Sequence, residues 1–201
     1  MIAIVDVCSG NLRSVQRGLL HAGAEVVVTR DADVVRRADK IVVPGQGAFG
    51  MFVAGLADGR GLDQALREAI ARGVPYLGIC LGLQVLFEAS EESPGAGLGI
   101  FAGKVVKFAA SAQLKVPHIG WNVVRETRPD PLSDGVAGQR LYFVHSYYAA
   151  PADRSIVALE TTHGAPFCAA VRRDNVFACQ FHPEKSQAVG LGLLRRFVEA
   201  A

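Results

Sequence analysis

The residues with types and spacing suited to chemistry are Cys80 and, a hundred positions on, the pair His182 and Glu184. Residues 75–79 read as a short buried strand. Residues 81–89 read as a helix, apolar at 81, 83, 85, 86 and 87, so Cys80 falls at the turn between them. Gly78 and Gly82 flank it at minus two and plus two, the thiol version of a nucleophile elbow. Such a turn is sharp, a flanking Cβ would crowd the neighbouring backbone, and glycine has none. The turn lifts the sulfur to the sheet's carboxyl edge, at a helix N-terminus, where free N–H groups and the macrodipole favour thiolate over thiol. The same spacing also fits a buried cysteine that packs as a small hydrophobe. Residues 176–181 read as a strand ending in Phe181-His182-Pro183-Glu184. Residues two apart on an extended chain face one way, so His182 and Glu184 can point to one side, and Pro183 suits a strand end. A histidine beside a carboxylate is the pattern of a base and its orienting group. In isolation the tripeptide also fits a solvated loop; with a candidate nucleophile on an elbow elsewhere, the chemical reading prevails.

The elements that must position these groups follow from periodicity. Strands are expected over residues 2–7, 25–29 and 40–43. Helices are expected over 12–22, with Ser9 or Asn11 as N-cap and Gly23 at the C-terminus, and over 33–38. This alternation, with near-continuous apolar strands, implies a parallel sheet covered on both faces. The loop Pro44-Gly45-Gln46-Gly47-Ala48-Phe49-Gly50 leaves the third strand's carboxyl end, and a helix over 62–72 leads into the Cys80 strand. After the turn cluster at residues 93–97, strand-like runs at 103–108, 118–125, 139–147, 156–161, 167–172 and 176–181 suggest antiparallel strands added to or near the first sheet. An amphipathic helix over 187–200 closes the chain. The expected class is α/β, a mostly parallel central sheet flanked by helices with added antiparallel strands, in a single domain over 1–201.

Bulk properties exclude several function classes. The chain has 201 residues, 50% hydrophobic and 20% charged, as in ordinary globular proteins, and a net charge of +2 carries no nucleic-acid or membrane signal. The four cysteines, Cys8, Cys80, Cys168 and Cys179, show no CxxC pairing or metal-ligand spacing, so free thiols, no metal, no cofactor and a cytoplasmic location are expected. There is no signal-type N-terminus, and no apolar stretch approaches the ~20 residues of a membrane span.

Together, Gly78-Ile79-Cys80-Leu81-Gly82-Leu83-Gln84 and His182-Pro183-Glu184 resemble the class I, triad-type glutamine amidotransferases. Three further segments narrow the resemblance: Pro117-His118-Ile119-Gly120-Trp121-Asn122, Tyr142-Phe143-Val144-His145-Ser146-Tyr147, and the continuation Lys185-Ser186. With Ser9-Gly10-Asn11-Leu12 they are similar to the glutaminase subunits of imidazole glycerol phosphate synthase, an enzyme of histidine biosynthesis. The resemblance covers essentially the whole chain. Gln46 stands where that family often has valine, and Ser146 where threonine is common; neither change removes a catalytic group, because the family uses the loop's backbone.

The resemblance implies a flavodoxin-like architecture and hydrolysis of L-glutamine to glutamate and ammonia. Cys80 would be the nucleophile, His182 the base and Glu184 the group that orients it. The Leu81 N–H and the Gly45-Gln46-Gly47 loop would hold the oxyanion. Gln84, Glu92 and backbone groups of Ser146 and Tyr147 would hold the substrate. The implied partner is a (β/α)8-barrel cyclase bound as a heterodimer, docking over Asn11, Trp121 and Lys185. Plainer roles also fit several residues: a tight turn for the loop, a solvated helix end for Glu88, Glu91 and Glu92, a core aromatic for Trp121, and a solvated charge for Lys185. His118 and His145 read as structural, and His21 and His163 as surface residues. Glutaminases of anthranilate, carbamoyl-phosphate, GMP or pyridoxal-phosphate synthesis share the triad, and segments 117–122 and 142–147 argue against them. The intact triad argues against a non-enzymatic interaction subunit, and Gln84 with His-Pro-Glu against a cysteine peptidase of related fold.

Overall fold

The computed structural model describes residues 1–7, 11–109 and 114–200. The Ser9-Gly10 turn and Cys8 lie outside the described residues. In chain order the first half runs β1 (Ile2–Val5), α1 (Leu12–His21), β2 (Val26–Thr29), α2 (Ala32–Arg37), β3 (Lys40–Gly45), α3 (Phe49–Leu56), α4 (Leu62–Ala71), β4 (Tyr76–Cys80) and α5 (Leu81–Gln84). The second half runs β5 (Ala89–Ser90), β6 (Gly103–Lys107), β7 (His118–Val123), β8 (Arg125–Glu126), β9 (Arg140–His145), β10 (Tyr147–Pro151), β11 (Val157–His163), β12 (Ala165–Arg173), β13 (Val176–Cys179) and α6 (Gln187–Glu199).

The main sheet has eight strands in the order β2-β1-β3-β4-β13-β12-β11-β8. The run from β2 to β13 is parallel, and β12, β11 and β8 extend it antiparallel. The expected mixed α/β sheet is therefore present. Alternation along the strands sorts side chains between two cores. Ala3, Val5, Ile41, Val43, Tyr76 and Ala178 face α2, α3 and α4 on one side. Ile2, Ile4, Val42, Leu77, Ile79 and Phe177 face α1 and α6 on the other. Helix α1 offers Val15 and Leu19, one turn apart, to that second core, and α6 offers Leu193, Leu194 and Phe197. The Asp31 side chain caps α2 by accepting from the N–H groups of Asp33 and Val34.

Three local expectations need correction. The helix expected over 81–89 stops at Gln84. Residues 81–87 are buried all round, so the run is a core segment and not an amphipathic stripe. The carbonyls of Val85 and Leu86 are taken by N–H groups of Leu98, Ile100 and Phe101 instead of by a next helical turn. The strand expected over 139–147 breaks at Ser146, because β9 pairs with β7 while β10 pairs with β6 in another sheet. Helix α3, whose first two residues fall in the loop expected over 44–50 and whose remainder the sequence left unassigned, begins where the Glu92 carboxylate accepts from the Phe49 N–H at 2.6 Å and the Ser93 hydroxyl accepts from the Gly50 N–H at 2.8 Å.

The crossing of β3, β4 and α5 is the tightest place in the fold. A Cβ on Gly82 would stand 1.8 Å from the Val43 carbonyl oxygen, and one on Gly78 would stand 2.4 Å from the Gly82 oxygen. The buried Tyr76 hydroxyl donates to that same Gly82 carbonyl at 2.8 Å. Burial pushes the Tyr76 pKa well up, so the phenol stays protonated and able to donate. Tyr76→Phe keeps the ring and strands a buried carbonyl, so it should cost about 1–3 kcal/mol. The measurement is a urea titration, where the midpoint should fall with the slope unchanged; an undiminished midpoint would show that the phenol contributes nothing to the elbow.

Candidate active site

Cys80 is the last residue of β4 and takes φ 56, ψ −105, a backbone conformation that non-glycine residues rarely adopt. Such a conformation costs on the order of 1–3 kcal/mol and persists only where the surroundings enforce it. Here the enforcement is the close approach at Gly78 and Gly82. The elbow expected from the sequence is thus present. Gly45 lies directly beside Cys80 in the parallel register of β3 and β4, so the Gly45-Gln46-Gly47 loop leaves the same sheet edge. A Cβ on Gly45 would meet Phe52 and Leu81, whereas Gly47, at φ +102, has open space around it. The first of these glycines is fixed by packing and the second is unconfined.

His182 follows β13, the strand that pairs with β4. Its Nδ1 lies 2.8 Å from Glu184 Oε1. The sequence placed both on an extended strand end, but Pro183 to Lys185 form a 3-10 turn, and that turn folds the carboxylate back onto the ring. The His182 side chain is 2% exposed and that of Glu184 is 0% exposed. Burial alone would lower the His182 pKa; the neighbouring Cys80 and Glu184 outweigh it and raise the value to about 9. His182 Nε2 makes no well-aligned hydrogen bond, although the Cys80 side chain is near enough to raise its pKa. The backbone holds the ring from two sides: the His182 N–H donates to the Tyr142 carbonyl at 2.9 Å, and the Ser186 hydroxyl donates to the His182 carbonyl at 2.6 Å. Asn11 has left-handed φ and caps α1 without a side-chain bond; its amide donates instead to Glu184 Oε1.

A cavity of about 410 Å³ opens above the sulfur, lined by Gln46, Gly47, Cys80, Leu81, Gln84, Glu92, Ser146, Tyr147, His182 and Lys185 among others. That volume suits a small metabolite. Gln84 is 3% exposed, and its amide nitrogen donates to the Tyr147 carbonyl and to Gln180 Oε1, each at 3.0 Å. With both N–H groups spent, Gln84 has only its oxygen to offer a ligand, which suits an ammonium group. Glu92 lines the cavity while one of its oxygens caps α3, so it tethers the segment just after the Gly45–Gly47 loop. Trp121 is 40% exposed and its ring meets Tyr142 edge-on at 6.0 Å, while Lys185 Nζ lies 5.6 Å from the Tyr142 ring centroid. Asn11, Glu184, Gly45 and Trp121 stand around the cavity and not in its lining. Among the described residues, no group of His, Cys, Asp and Glu could hold a metal ion.

His118 and His145 are buried among Phe108, Phe143 and Phe167, in keeping with a structural role. His163, expected on the surface, is half-buried and stacks on His118 at 4.3 Å. The Tyr147 carbonyl, 2.8 Å from His145 Nδ1, can only accept, so the proton is on Nδ1 and Nε2 accepts from His118 Nδ1 at 3.1 Å. His118 Nε2 then accepts from Asn122 at 3.2 Å. Burial first, then neighbouring His163, lowers the His118 pKa to about 4; burial lowers that of His145 to about 3 despite the Tyr147 bond. Both are neutral when folded and charged when unfolded below their ordinary value. The stability they lend is therefore full above about pH 6.5 and is lost as pH falls toward the folded values. In urea titrations between pH 6 and 4.5 their joint contribution to the slope should approach about 2.7 kcal/mol per pH unit, two protons' worth. His145→Gln should remove about half of that contribution, and an unaltered slope would count against the neutral pair.

The sequence reading missed Gln180, Tyr142 and the Asn11–Glu184 bond. Gln180 could have been found, because it lies two residues before His182 on the same run. The bond could not, because it joins opposite ends of the chain. Of the described thiols, burial pushes Cys168 up to about 12 and Cys179 well above the ordinary value, which leaves both inert. A glutamine-like electrophile should therefore label Cys80 alone of these three, read by peptide mass spectrometry; label on Cys168 or Cys179 in folded protein would sink the assignment.

The glutamine amidotransferase class-I family model matches residues 3–200. Imidazole glycerol phosphate synthase subunit HisH of Rhodopirellula baltica is 48% identical over 100% of this chain and 98% of the relative. The subunit of that name in Syntrophotalea carbinolica is 50% identical over 98% of each. Among solved structures, a glutamine amidotransferase superposes with TM-score 0.76 at 19% identity, covering 98% of this chain and 97% of that one. The glutaminase domain of Trypanosoma brucei CTPS gives 0.70 at 17%, covering 100% and 94%. At those identities the two structures speak for the fold alone. The family match and the full-length relatives do more: the chain belongs to the class-I glutamine amidotransferases, in the branch of the glutaminase subunit HisH of imidazole glycerol phosphate synthase.

Proposed function

We propose that this chain, as a single domain over residues 1–201, carries out its family's glutamine hydrolysis through a Cys80–His182–Glu184 triad. The observation that carries this is the strained thiol at a strand-to-helix turn beside a buried, carboxylate-paired histidine, all facing one cavity. Cys80 sulfur adds to the side-chain carbonyl carbon of glutamine while His182 takes the thiol proton. The tetrahedral oxyanion is held by the Leu81 N–H and by an N–H of the Gly45-Gln46-Gly47 loop. When the C–N bond breaks, His182 returns the proton to the departing amine, which leaves as ammonia. Water, deprotonated by His182, opens the thioester and releases glutamate. Glu184 keeps the imidazole oriented and favours its charged form. The substrate's ammonium would face Gln84 Oε1 and Glu92, with backbone groups of Ser146 and Tyr147 at its other end.

The ammonia would pass to a (β/α)8-barrel cyclase bound as a heterodimer, both in the cytoplasm. The docking surface we assign is the exposed edge of the β7–β9 pair with Asn11 and Lys185. Ile119, Trp121 and Val123 stand out from it at 61%, 40% and 38% exposure, and the cavity mouth adjoins it. No helix among the described residues is long and apolar enough to cross a membrane.

Cys80→Ala should abolish glutamine hydrolysis while the reconstituted synthase still works from ammonium salts, and glutamine turnover above a few per cent of wild type would remove Cys80 from the mechanism. His182→Ala should match it and Glu184→Ala should be milder. Because Gly47 is unconfined, the loop can rest with a carbonyl toward the oxyanion site and turn when the partner docks. Each tenfold of activation needs about 1.4 kcal/mol of preference for the turned state. Glutamate release should rise at least about a hundredfold on adding the cyclase and its ribonucleotide ligand, two such tenfold steps. An isolated chain already at full speed would show that the loop is no gate.

A further inference from the structure

Gln180 has no role in the mechanism so far, yet its side chain is fully buried and touches the reacting atom. Its Nε2 lies 3.4 Å from Cys80 Sγ, and its Oε1 accepts from Gln84 Nε2 at 3.0 Å. The orientation of both amides is dictated by one backbone group. The Tyr147 carbonyl can only accept, so the Gln84 atom facing it at 3.0 Å must be nitrogen. That nitrogen also meets the near atom of Gln180, which must then be oxygen. The far atom of Gln180 is therefore nitrogen, and it faces sulfur. The same carbonyl is flanked by His145 Nδ1 at 2.8 Å, so it is held in place from both sides. An amide nitrogen donates and cannot accept, so along this contact the sulfur is the acceptor.

We propose that Gln180 is a positioning residue for the nucleophile: its N–H, aimed by the Tyr147 carbonyl through Gln84, fixes the place of the Cys80 sulfur and stabilises the charge that builds on it as its proton passes to His182. Two consequences follow. A hydrogen bond to a charged acceptor is worth roughly twice a neutral one, so this contact favours the ionised sulfur over the neutral one. It also engages one side of the sulfur, leaving another free for proton exchange with His182, whose pKa the Cys80 side chain already raises. Gln180 thereby joins the substrate-binding Gln84 and the nucleophile in one rigid unit.

The inference rests on Cys80 as nucleophile, and its test separates the two. The full chain is treated with iodoacetamide across a range of pH, and label on the peptides holding Cys80, Cys168 and Cys179 is read by mass spectrometry. Wild type tests the nucleophile itself: preferential label away from Cys80 overturns that reading. Gln180→Leu, which keeps the bulk and removes the N–H, should shift the Cys80 profile to higher pH and slow labelling at neutral pH about tenfold or more. Gln180→Glu should do so at least as strongly, because it sets a carboxylate against the sulfur. Cys168 and Cys179 report folding, since both are fully buried. If they become reactive in either variant, Gln84→Met takes its place: it leaves Gln180 present but unaimed, and the Cys80 profile should still shift, by less. A Cys80 profile unchanged from wild type, in a variant whose other two thiols stay protected, overturns the proposal and leaves Gln180 as packing.

Discussion

The structure depends on the meeting of three backbones at the elbow. Val43 of β3, Gly78 of β4 and Gly82 of α5 approach so closely that no side-chain carbon fits between them. This contact forces Cys80 into its unusual φ and lifts the sulfur above the sheet. Its cost is local and small beside the burial on both faces of β3, β4 and β13, so the two cores can hold the turn in place. The same crowding aligns three neighbouring carboxyl ends: the Gly45–Gly47 loop, the thiol and the histidine come from adjacent strands. Because α5 is a single turn, its macrodipole is slight.

Neighbouring histidines take opposite directions here, and the reason is the partner. Burial penalises the charged ring in both settings. His182 faces a buried carboxylate and Cys80, which together reverse the penalty. His145 faces a carbonyl and another histidine, which do not. His182 is thus disposed to carry a proton, while His145, lining the same pocket, stays neutral with His118 behind it and serves as a fixed dipole. His145, itself held by His118, fixes the Tyr147 carbonyl, and that carbonyl orients the amides next to the sulfur.

Much of this was legible in the sequence. Apolar alternation gave the parallel half of the sheet and its two covering helix layers, because each strand buries both faces. Gly78, Cys80 and Gly82 gave the elbow, because only a very tight turn needs both glycines. The helix after Cys80 was overestimated, since a continuously buried run has no amphipathic stripe to mark where it ends. The start of α3 was missed because its cap is Glu92, a residue far along the chain. Asn11, expected on the partner-facing surface, also ties down Glu184, and Gln180 was overlooked as strand filler. Such contacts depend on which strands become neighbours, and local pattern does not carry that information.

The sheet order also constrains how the chain comes into being. Among the described residues strand β13 comes last in chain order, yet it lies in the interior of the sheet between β4 and β12. Until it inserts, β4 presents an open, fully apolar edge, a surface prone to pairing with other chains. His182 and Glu184 arrive on that same insertion, and Glu184 then meets Asn11 from the first turns of the chain. A growing chain therefore carries Cys80 for about a hundred further residues before His182 and Glu184 exist to meet it. The three side chains come together only as that vulnerable edge is sealed.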